Sequence, residues 1–290
     1  MIRIAEEVRE ASAVVALETT LVAHGFPAGE GVEVALESER LVREAGAVPA
    51  TIGVLDGEVV VGLTERELAR FDVSARKVGP RDLAAAIEQR ATGATTVGGT
   101  LAVARGAGIA VMATGGLGGV HRGYPDPPDV SADLRQLAAT PALVVSAGVK
   151  SLLDVDATAE MLETLGVPVL GYRTDTLPLF YAAEGGPPVS ARVESAEEAA
   201  RIARAHWQLG GGGLLLGRPP DEPLDDVDPL IDEALATAHA EGIFGQAVTP
   251  FVLAYIHRES GGRTQKANKD LVAQNARLAG EIATDLAARS

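Results

Sequence analysis

Short apolar runs rich in β-branched residues alternate along the chain with longer segments in which apolar residues recur every three or four positions. The first pattern predicts buried strands and the second predicts amphipathic helices. Their alternation is typical of βα units around a parallel sheet. The predicted strands are Val14–Leu17, Thr51–Leu55, Ala94–Val97, Ile109–Ala113, Leu143–Ser146, Val167–Tyr172 and Gly213–Leu216.

Two of the predicted helices begin with a capping box, in which a hydroxyl residue precedes a glutamate by three positions. These boxes are Thr64 with Glu67 and Ser195 with Glu198, and in each the side chain and the backbone satisfy each other's free donors. The first ten residues, where apolar and acidic residues alternate, also predict a helix. The other helices are predicted at Gly31–Glu44, Glu65–Phe71, Arg81–Gln89, Ala132–Ala138, Ala157–Leu165, Ala196–Gln208, Pro229–Ala240, Pro250–His257 and Lys269–Ala288.

One hairpin interrupts the parallel pattern. Asp56-Gly57 separates Thr51–Leu55 from Glu58–Val61, and Asp-Gly is a strong two-residue turn signal, so one antiparallel pair is expected. No repeat or convincing linker divides the chain. We therefore predict an α/β fold, a three-layer α/β/α sandwich around a largely parallel mixed sheet. It forms a single domain over residues 1–290, with a helical C-terminal part from about residue 228.

The charge balance limits the partners. The chain has 25 Lys and Arg against 40 Asp and Glu, a formal net charge of −15. Proteins bind nucleic-acid polymers mainly by neutralising phosphates with Lys and Arg, so we exclude such a polymer but not a small phosphorylated ligand. No cysteine occurs, which excludes thiolate metal sites and cysteine nucleophiles. We predict no signal peptide or membrane span, and expect a cytoplasmic protein.

Lysine is scarce, and one lysine stands at a strand end. Lys150 follows the apolar run 143–149, so it lies at the carboxyl edge of the sheet, where open α/β sheets place ligands. Desolvation there lowers the pKa of an ammonium and yields a neutral amine that can attack a carbonyl carbon. A lysine whose apolar stem merely covers the strand end is the structural alternative. Lys77 is the second lysine outside the polar C-terminal segment.

Glu18 ends the predicted strand Val14–Leu17 and is followed by two threonines. A carboxyl group at a strand's carboxyl end can act as an acid or a base if its environment tunes its pKa. A capping or ion-paired glutamate is an equally good interpretation of this position.

Two small-residue loops follow predicted strands. The glycines of Thr114–Gly123 allow backbone NH groups to approach an anion closely, although this loop matches neither the dinucleotide fingerprint nor the P-loop. The stretch Ala94–Thr100 includes Thr96 at the start of a helix, whose positive end could hold a phosphate.

Three acidic residues surround the N-cap at Ser131. One or two of the carboxylates of Asp126, Asp129 and Asp133 could hold a hard divalent cation through oxygen ligands and waters. Helix capping and the helix dipole explain Ser131 and Asp133 without any metal.

Taken together, these motifs resemble a known family from end to end, the pseudouridine-5′-phosphate glycosidases, also called IndA-like proteins. The resemblance is carried by Ala16-Leu17-Glu18-Thr19-Thr20, His24-Gly25, Val48-Pro49-Ala50-Thr51-Ile52, Lys77-Val78 with Arg81-Asp82-Leu83, Ala94-Thr95-Thr96-Val97, the Thr114–Gly123 loop, Asp129-Val130-Ser131-Ala132-Asp133-Leu134, Gly148-Val149-Lys150-Ser151-Leu152-Leu153-Asp154, and Thr249-Pro250-Phe251.

The resemblance implies reversible cleavage of the C–C glycosidic bond of pseudouridine 5′-phosphate to uracil and ribose 5-phosphate. It implies that Lys150 forms an imine with C1′ of the opened sugar and that Glu18 donates the proton. It implies a manganese ion at Asp129 and a homotrimer. The implied substrate contacts are Lys77, Val97, Ser131, Ala132 and Asp133, with Thr114, His121 and Asn275 near the base.

Two alternatives stay open. Some relatives join ribose 5-phosphate to aromatic polyketides, and the same imine chemistry would serve that C-ribosylation. A non-catalytic sugar-phosphate sensor that has kept the fold is the alternative from a different class.

Overall fold

The structure is a computed structural model that describes residues 2–27, 29–126 and 128–288. The strands are β1 (Ile2–Ile4), β2 (Val14–Glu18), β3 (Val48–Leu55), β4 (Glu58–Val61), β5 (Arg76–Val78), β6 (Gly93–Thr95), β7 (Val111–Ala113), β8 (Val120–His121), β9 (Leu143–Ser146), β10 (Leu153–Asp154), β11 (Val169–Tyr172), β12 (Ala191–Val193) and β13 (Leu214–Gly217).

Helices connect most of these strands and form the whole C-terminal part. They are α1 (Glu6–Glu10), α2 (Thr20–His24), α3 (Glu30–Glu44), α4 (Glu65–Leu68), α5 (Leu83–Glu88), α6 (Val97–Ala107), α7 (Ala132–Ala138), α8 (Val155–Thr164), α9 (Ala196–Gln208), α10 (Asp228–Ala240), α11 (Val248–Glu259) and α12 (Arg263–Ala287), with a short 3-10 helix at Gly245–Ala247.

The main sheet is mixed but mostly parallel. Its path runs β1-β4-β3-β2-β7-β9-β13-β11-β12, and on this path only β3 and β4 are antiparallel. Off the path, β6 pairs antiparallel with β3 and parallel with β5. The hairpin predicted at Asp56-Gly57 is confirmed, since both residues have the positive φ of a type I′ turn.

Helices cover both faces of the sheet, because each central strand sends alternate side chains into two separate cores. On β9, Val144 joins the core that contains Leu101 of α6, whereas Val145 joins the core that contains Ala199 of α9 and Ile282 of α12. The predicted α/β fold with C-terminal helices is therefore confirmed. Of the helices in the described ranges, none combines the length and apolar character needed to cross a membrane.

The predicted N-terminal helix is wrong over its first residues. Ile2–Ile4 instead pairs in parallel with Val59–Val61 of β4, which extends the sheet by one edge strand, and only Glu6–Glu10 is helical. The edge of β4 supplies backbone partners that local helix propensity cannot anticipate.

The predicted strand Ala94–Val97 ends earlier than expected. The Thr96 side chain accepts a hydrogen bond from the Gly99 amide and caps α6, so Val97 begins a helix rather than continuing β6. The capping box at Thr64 is confirmed. At Ser195 only half of the box forms, because Glu198 accepts from the amide of Glu194 instead of that of Ser195.

Candidate active site

A cavity of about 410 Å³ opens at the carboxyl edge of the sheet, a volume within the usual range for small-molecule sites. Glu18 from the end of β2, Lys77 from β5 and Lys150 from the turn after β9 line its wall. His121 of β8 and Asp133 of α7 add further titratable side chains to this wall. Strand ends distant in sequence therefore meet at one site.

Register explains why Glu18 and Thr114 are neighbours. Leu17 of β2 pairs with Ala113 of β7 in parallel, so the next residue of each strand emerges at the same edge. The Thr114 hydroxyl donates a hydrogen bond to Oε1 of Glu18. Glu18 is only 5% exposed.

Burial raises the pKa of Glu18 above that of an exposed glutamate, because desolvation disfavours the carboxylate. The charge of Lys150, the hydrogen bond from Thr114 and the charge of Lys77 each lower this pKa in part. The net effect is that Glu18 keeps its proton to a higher pH than an exposed glutamate does. A residue that acts as a general acid needs such a raised pKa.

Lys150 is held by a turn that only glycine can make. Gly148 has φ +82°, and a Cβ there would lie 1.9 Å from the carbonyl oxygen of Pro178. The Leu117 amide donates to the Gly148 carbonyl at 3.0 Å, and the Lys150 amide donates to the Leu117 carbonyl at 3.1 Å. The backbone of the half-buried Lys150 is thereby fixed to the glycine loop after β7.

Lys77 brings a second amine to the cavity. Burial lowers its pKa first and the nearby charge of Lys150 lowers it further, whereas Asp133 and Glu18 oppose this shift. The cavity thus combines two lysines with two buried carboxyl groups inside a protein whose net charge is −15. The two amines can offer positive charge to an anionic ligand, while the carboxyl groups beside them balance much of that charge.

Three of the predicted substrate contacts lie behind the cavity wall rather than on it. Val97, Thr114 and Asn275 are each at most 2% exposed. The Asn275 amide donates to the carbonyl of Thr114 at 2.9 Å, and its buried oxygen has no hydrogen-bond partner among the described residues. Direct substrate contact by these three residues stays a prediction.

The start of α6 offers less to an anion than the sequence indicates. The Gly98 amide is already bonded to Asp133 at 2.7 Å, and the Gly99 amide is bonded to Thr96 at 3.1 Å. The Thr96 side chain itself lines the cavity. Ser131 and Ala132 line it as well, and Ser131 caps α7 by accepting from the Asp133 amide.

Asp129 stands at the cavity beside His121. Its Oδ2 lies 3.8 Å from Nδ1 of His121, and its side chain is 38% exposed. Burial lowers the pKa of His121, while the charge of Asp129 opposes that change. In the described part of the chain no group of three or more potential ligands forms. These donors suit a hard cation held by one carboxylate and waters, not a cage of protein ligands.

The cavity also contains residues to which the sequence assigned no role. Its wall includes Arg81 and Asp82 after β5, Leu153 of β10, and Gly245 with Thr249 from the C-terminal helices. Arg81, Asp82, Leu153 and Thr249 belong to the motifs that carried the resemblance, and those motifs were the signal that could have identified them. No motif in the sequence marked Gly245.

Comparisons with known proteins identify relatives that match nearly the whole chain. The family model for indigoidine synthase A like proteins matches residues 3–285. The pseudouridine-5′-phosphate glycosidase of Chloroflexus aurantiacus is 49% identical over 298 residues, which cover 98% of each chain. That of Nocardioides sp. is 46% identical over 291 residues, which cover 98% of this chain and 95% of the relative.

Two solved structures have the same fold. The prealnumycin C-glycosynthase AlnA, in complex with ribulose 5-phosphate, superposes with a TM-score of 0.89 and 44% identity, covering 99% of this chain and 97% of that chain. An indigoidine synthase A-like protein from Thermotoga maritima gives a TM-score of 0.89 and 37% identity, with the same coverage of each chain.

Gly148→Ala tests the turn that positions Lys150. The new Cβ cannot avoid the Pro178 carbonyl, so the free energy of unfolding should fall by about 3 kcal/mol or more, measured by urea denaturation. Gly166→Ala is the matched control, because Gly166 also has positive φ (+69°) but its Cβ would meet nothing within 4 Å. It should lose only about 1 kcal/mol, the cost of a side chain in the left-handed conformation. Equal losses would contradict the steric argument.

Proposed function

The chain belongs to the family of indigoidine synthase A like proteins, and on this premise we propose that it cleaves and forms the C–C glycosidic bond of pseudouridine 5′-phosphate. Cleavage gives uracil and ribose 5-phosphate. The observation that carries the proposal is the pair formed by Lys150 and the buried Glu18 on one cavity wall. The names of the relatives supply the substrate.

The chemistry explains the need for an amine. A glycosidase that cleaves a C–O bond protonates the leaving oxygen with a carboxylic acid, but a carbon leaving group has no lone pair to protonate. Nζ of Lys150 bonds to C1′ as the C1′–O4′ bond of the sugar ring breaks, and the proton that the amine gives up leaves O4′ as a hydroxyl. The electron pair of the C1′–C5 bond then moves into the uracil ring while the lysine lone pair forms the C=N bond of the imine.

Glu18 supplies the proton that C5 of uracil takes up as its bond to C1′ breaks. Water then hydrolyses the imine, which releases ribose 5-phosphate and returns the free amine. In the direction of synthesis the deprotonated Glu18 accepts the C5 proton. The raised pKa of Glu18 supports this role, since the acid keeps its proton until the base needs it.

The remaining cavity groups serve the phosphate and the base. Lys77, when charged, offsets the negative charge of the phosphate or of the developing uracil anion. Thr96, Ser131 and Ala132 bring hydroxyl and backbone groups to the same wall. His121, beside Asp129, offers the ligand a further polar contact.

Asp129 would hold a Mn²⁺ ion together with waters, and such an ion would supply positive charge to an anionic substrate. The exposed face of the Asp129 carboxylate supports this assignment. The family resemblance is the support for a homotrimer, which we include in the proposal.

C-ribosylation of an aromatic acceptor is the second candidate. The observation that favours it is the 44% identity to AlnA, a C-glycosynthase, over 99% of this chain. Both reactions use the same imine and differ only in the ring that C1′ joins.

Product analysis tests the proposal. Incubation with pseudouridine 5′-phosphate and Mn²⁺ should release uracil and ribose 5-phosphate, detected by chromatography. Lys150→Ala should lower turnover by at least about a thousandfold, as loss of a covalent nucleophile does elsewhere. The control Lys266→Ala removes an exposed lysine paired with Glu222 and Asp270 and should leave turnover unchanged.

Two outcomes would contradict the proposal. Turnover of an aromatic acceptor with ribose 5-phosphate, without uracil release, would assign the synthase reaction instead. Tight binding of the nucleotide without any turnover, retained in the Lys150 variant, would indicate a sensor.

Thr114→Val tests whether the Thr114 hydroxyl controls the pKa of Glu18. The change removes the hydroxyl that lowers the pKa of Glu18, so that pKa rises and Glu18 stays protonated to higher pH. The decline of uracil release at alkaline pH should therefore move to higher pH. Thr114→Ser keeps the hydroxyl and should retain the wild-type profile. Identical profiles for the Val and Ser variants would show that the hydroxyl does not act on Glu18.

A further inference from the structure

Asp133 is a buried carboxylate whose two oxygens bond to two different segments of the cavity wall. Oδ1 accepts from the Gly98 amide at the start of α6 at 2.7 Å, and Oδ2 accepts from the Gly118 amide in the loop after β7 at 3.2 Å. Asp133 is 5% exposed. Each oxygen of the carboxylate therefore has a protein donor before any substrate arrives.

This arrangement differs from an ordinary helix cap. Ser131 already caps α7, with its hydroxyl accepting from the Asp133 amide, so the helix does not need the Asp133 side chain as its cap. The approach of Gly118 is close: a Cβ there would lie 2.6 Å from Oδ2 of Asp133 and 2.5 Å from the Ser131 hydroxyl. The loop can reach this carboxylate only because residue 118 is glycine.

Both bonded segments lead directly to a lysine. On one side, the Thr96 amide next to Val97 and Gly98 donates to the carbonyl of Val78, the residue after Lys77. On the other side, Leu117 precedes Gly118 and accepts from the amide of Lys150. The Asp133 carboxylate thus joins the backbone that carries Lys77 to the backbone that carries Lys150.

We propose that Asp133 is a positioning residue, whose carboxylate fastens the start of α6 to the glycine loop and so fixes both lysines relative to Glu18. It does not bind the phosphate of the substrate, because a carboxylate repels a phosphate and both of its oxygens are already bonded. This inference rests on the proposed function, to which it adds a group that acts through its neighbours.

The charge of Asp133 gives this role a readout. It raises the pKa of Glu18 and the pKa of Lys77, so its removal lowers both. Without the charge of Asp133, both Glu18 and Lys77 lose their protons at a lower pH than in the wild-type protein. The titratable and charged groups around these two are Lys150 after β9, His121 on β8, Asp129, Arg81 and Asp82 on the cavity wall, and His24 of α2 beside Lys77.

Asp133→Asn is the test. It keeps the shape of the side chain and removes its charge, and it replaces one accepting oxygen by an NH₂ group that faces the backbone amide of Gly98 or Gly118. With pseudouridine 5′-phosphate, kcat should fall by about 10- to 100-fold with KM unchanged. The alkaline decline of kcat should move to lower pH. The matched control is Asp154→Asn, which removes a carboxylate that caps α8 by accepting from the Ala157 amide at 3.0 Å; it should lower the melting temperature without moving the pH profile.

Each other outcome overturns the proposal. A raised KM with unchanged kcat and pH profile would make Asp133 a substrate ligand. A lower melting temperature with an unmoved pH profile, the result expected for the Asp154 control, would reduce the role of Asp133 to stability. If Asp133→Asn does not fold, Asp133→Glu keeps the charge but misplaces the oxygens. That variant should lose kcat with KM and pH profile retained, and a raised KM would overturn the proposal.

The two proposals can fail separately. Uracil release by the wild-type protein tests the proposed function alone. The ratio of variant to wild type tests Asp133 alone, and it can also be measured as the rate at which borohydride fixes ribose 5-phosphate on the protein.

Discussion

The charge of Lys150 acting on the buried carboxyl group of Glu18 is the interaction on which the account of this site depends. Burial raises the pKa of Glu18, and the lysine is the first group that opposes this change. In bulk water the charge of Lys150 would change the pKa of Glu18 far less, because the high dielectric constant of water weakens the interaction between the two groups. The sheet creates the required surroundings, since parallel neighbours end at the same edge and leave a cavity between their connecting loops.

Glycine makes this cavity possible at two points. Gly148 turns the chain where a side chain would collide with Pro178, and Gly118 lets the loop approach Asp133. Backbone hydrogen bonds from Leu117 then connect these two positions. The proposed catalytic groups are therefore held by backbone contacts of their loops as well as by side-chain packing, which is the form of support that precise chemistry requires.

The central strands and the two main site residues could be predicted from the sequence, because continuous apolar runs such as Leu143–Ser146 end in polar residues at the sheet edge. The edge strands could not. Ile2–Ile4 is a strand only because β4 supplies its partner. The role of Asp133 was equally inaccessible, since its partners are 35 and 15 residues away. Thr114 and Asn275 are 161 residues apart, and only the folded chain shows that one supports the other.

The central claim is that the amine of Lys150 forms a covalent bond with the sugar, and chemical trapping tests it most directly. The protein is incubated with ribose 5-phosphate and borohydride, digested, and mapped by mass spectrometry. The account predicts one reduced pentose phosphate on Lys150. An adduct on Lys77 instead, the lysine whose pKa burial lowers, or an unmodified Lys150 in protein shown to be folded, would contradict it.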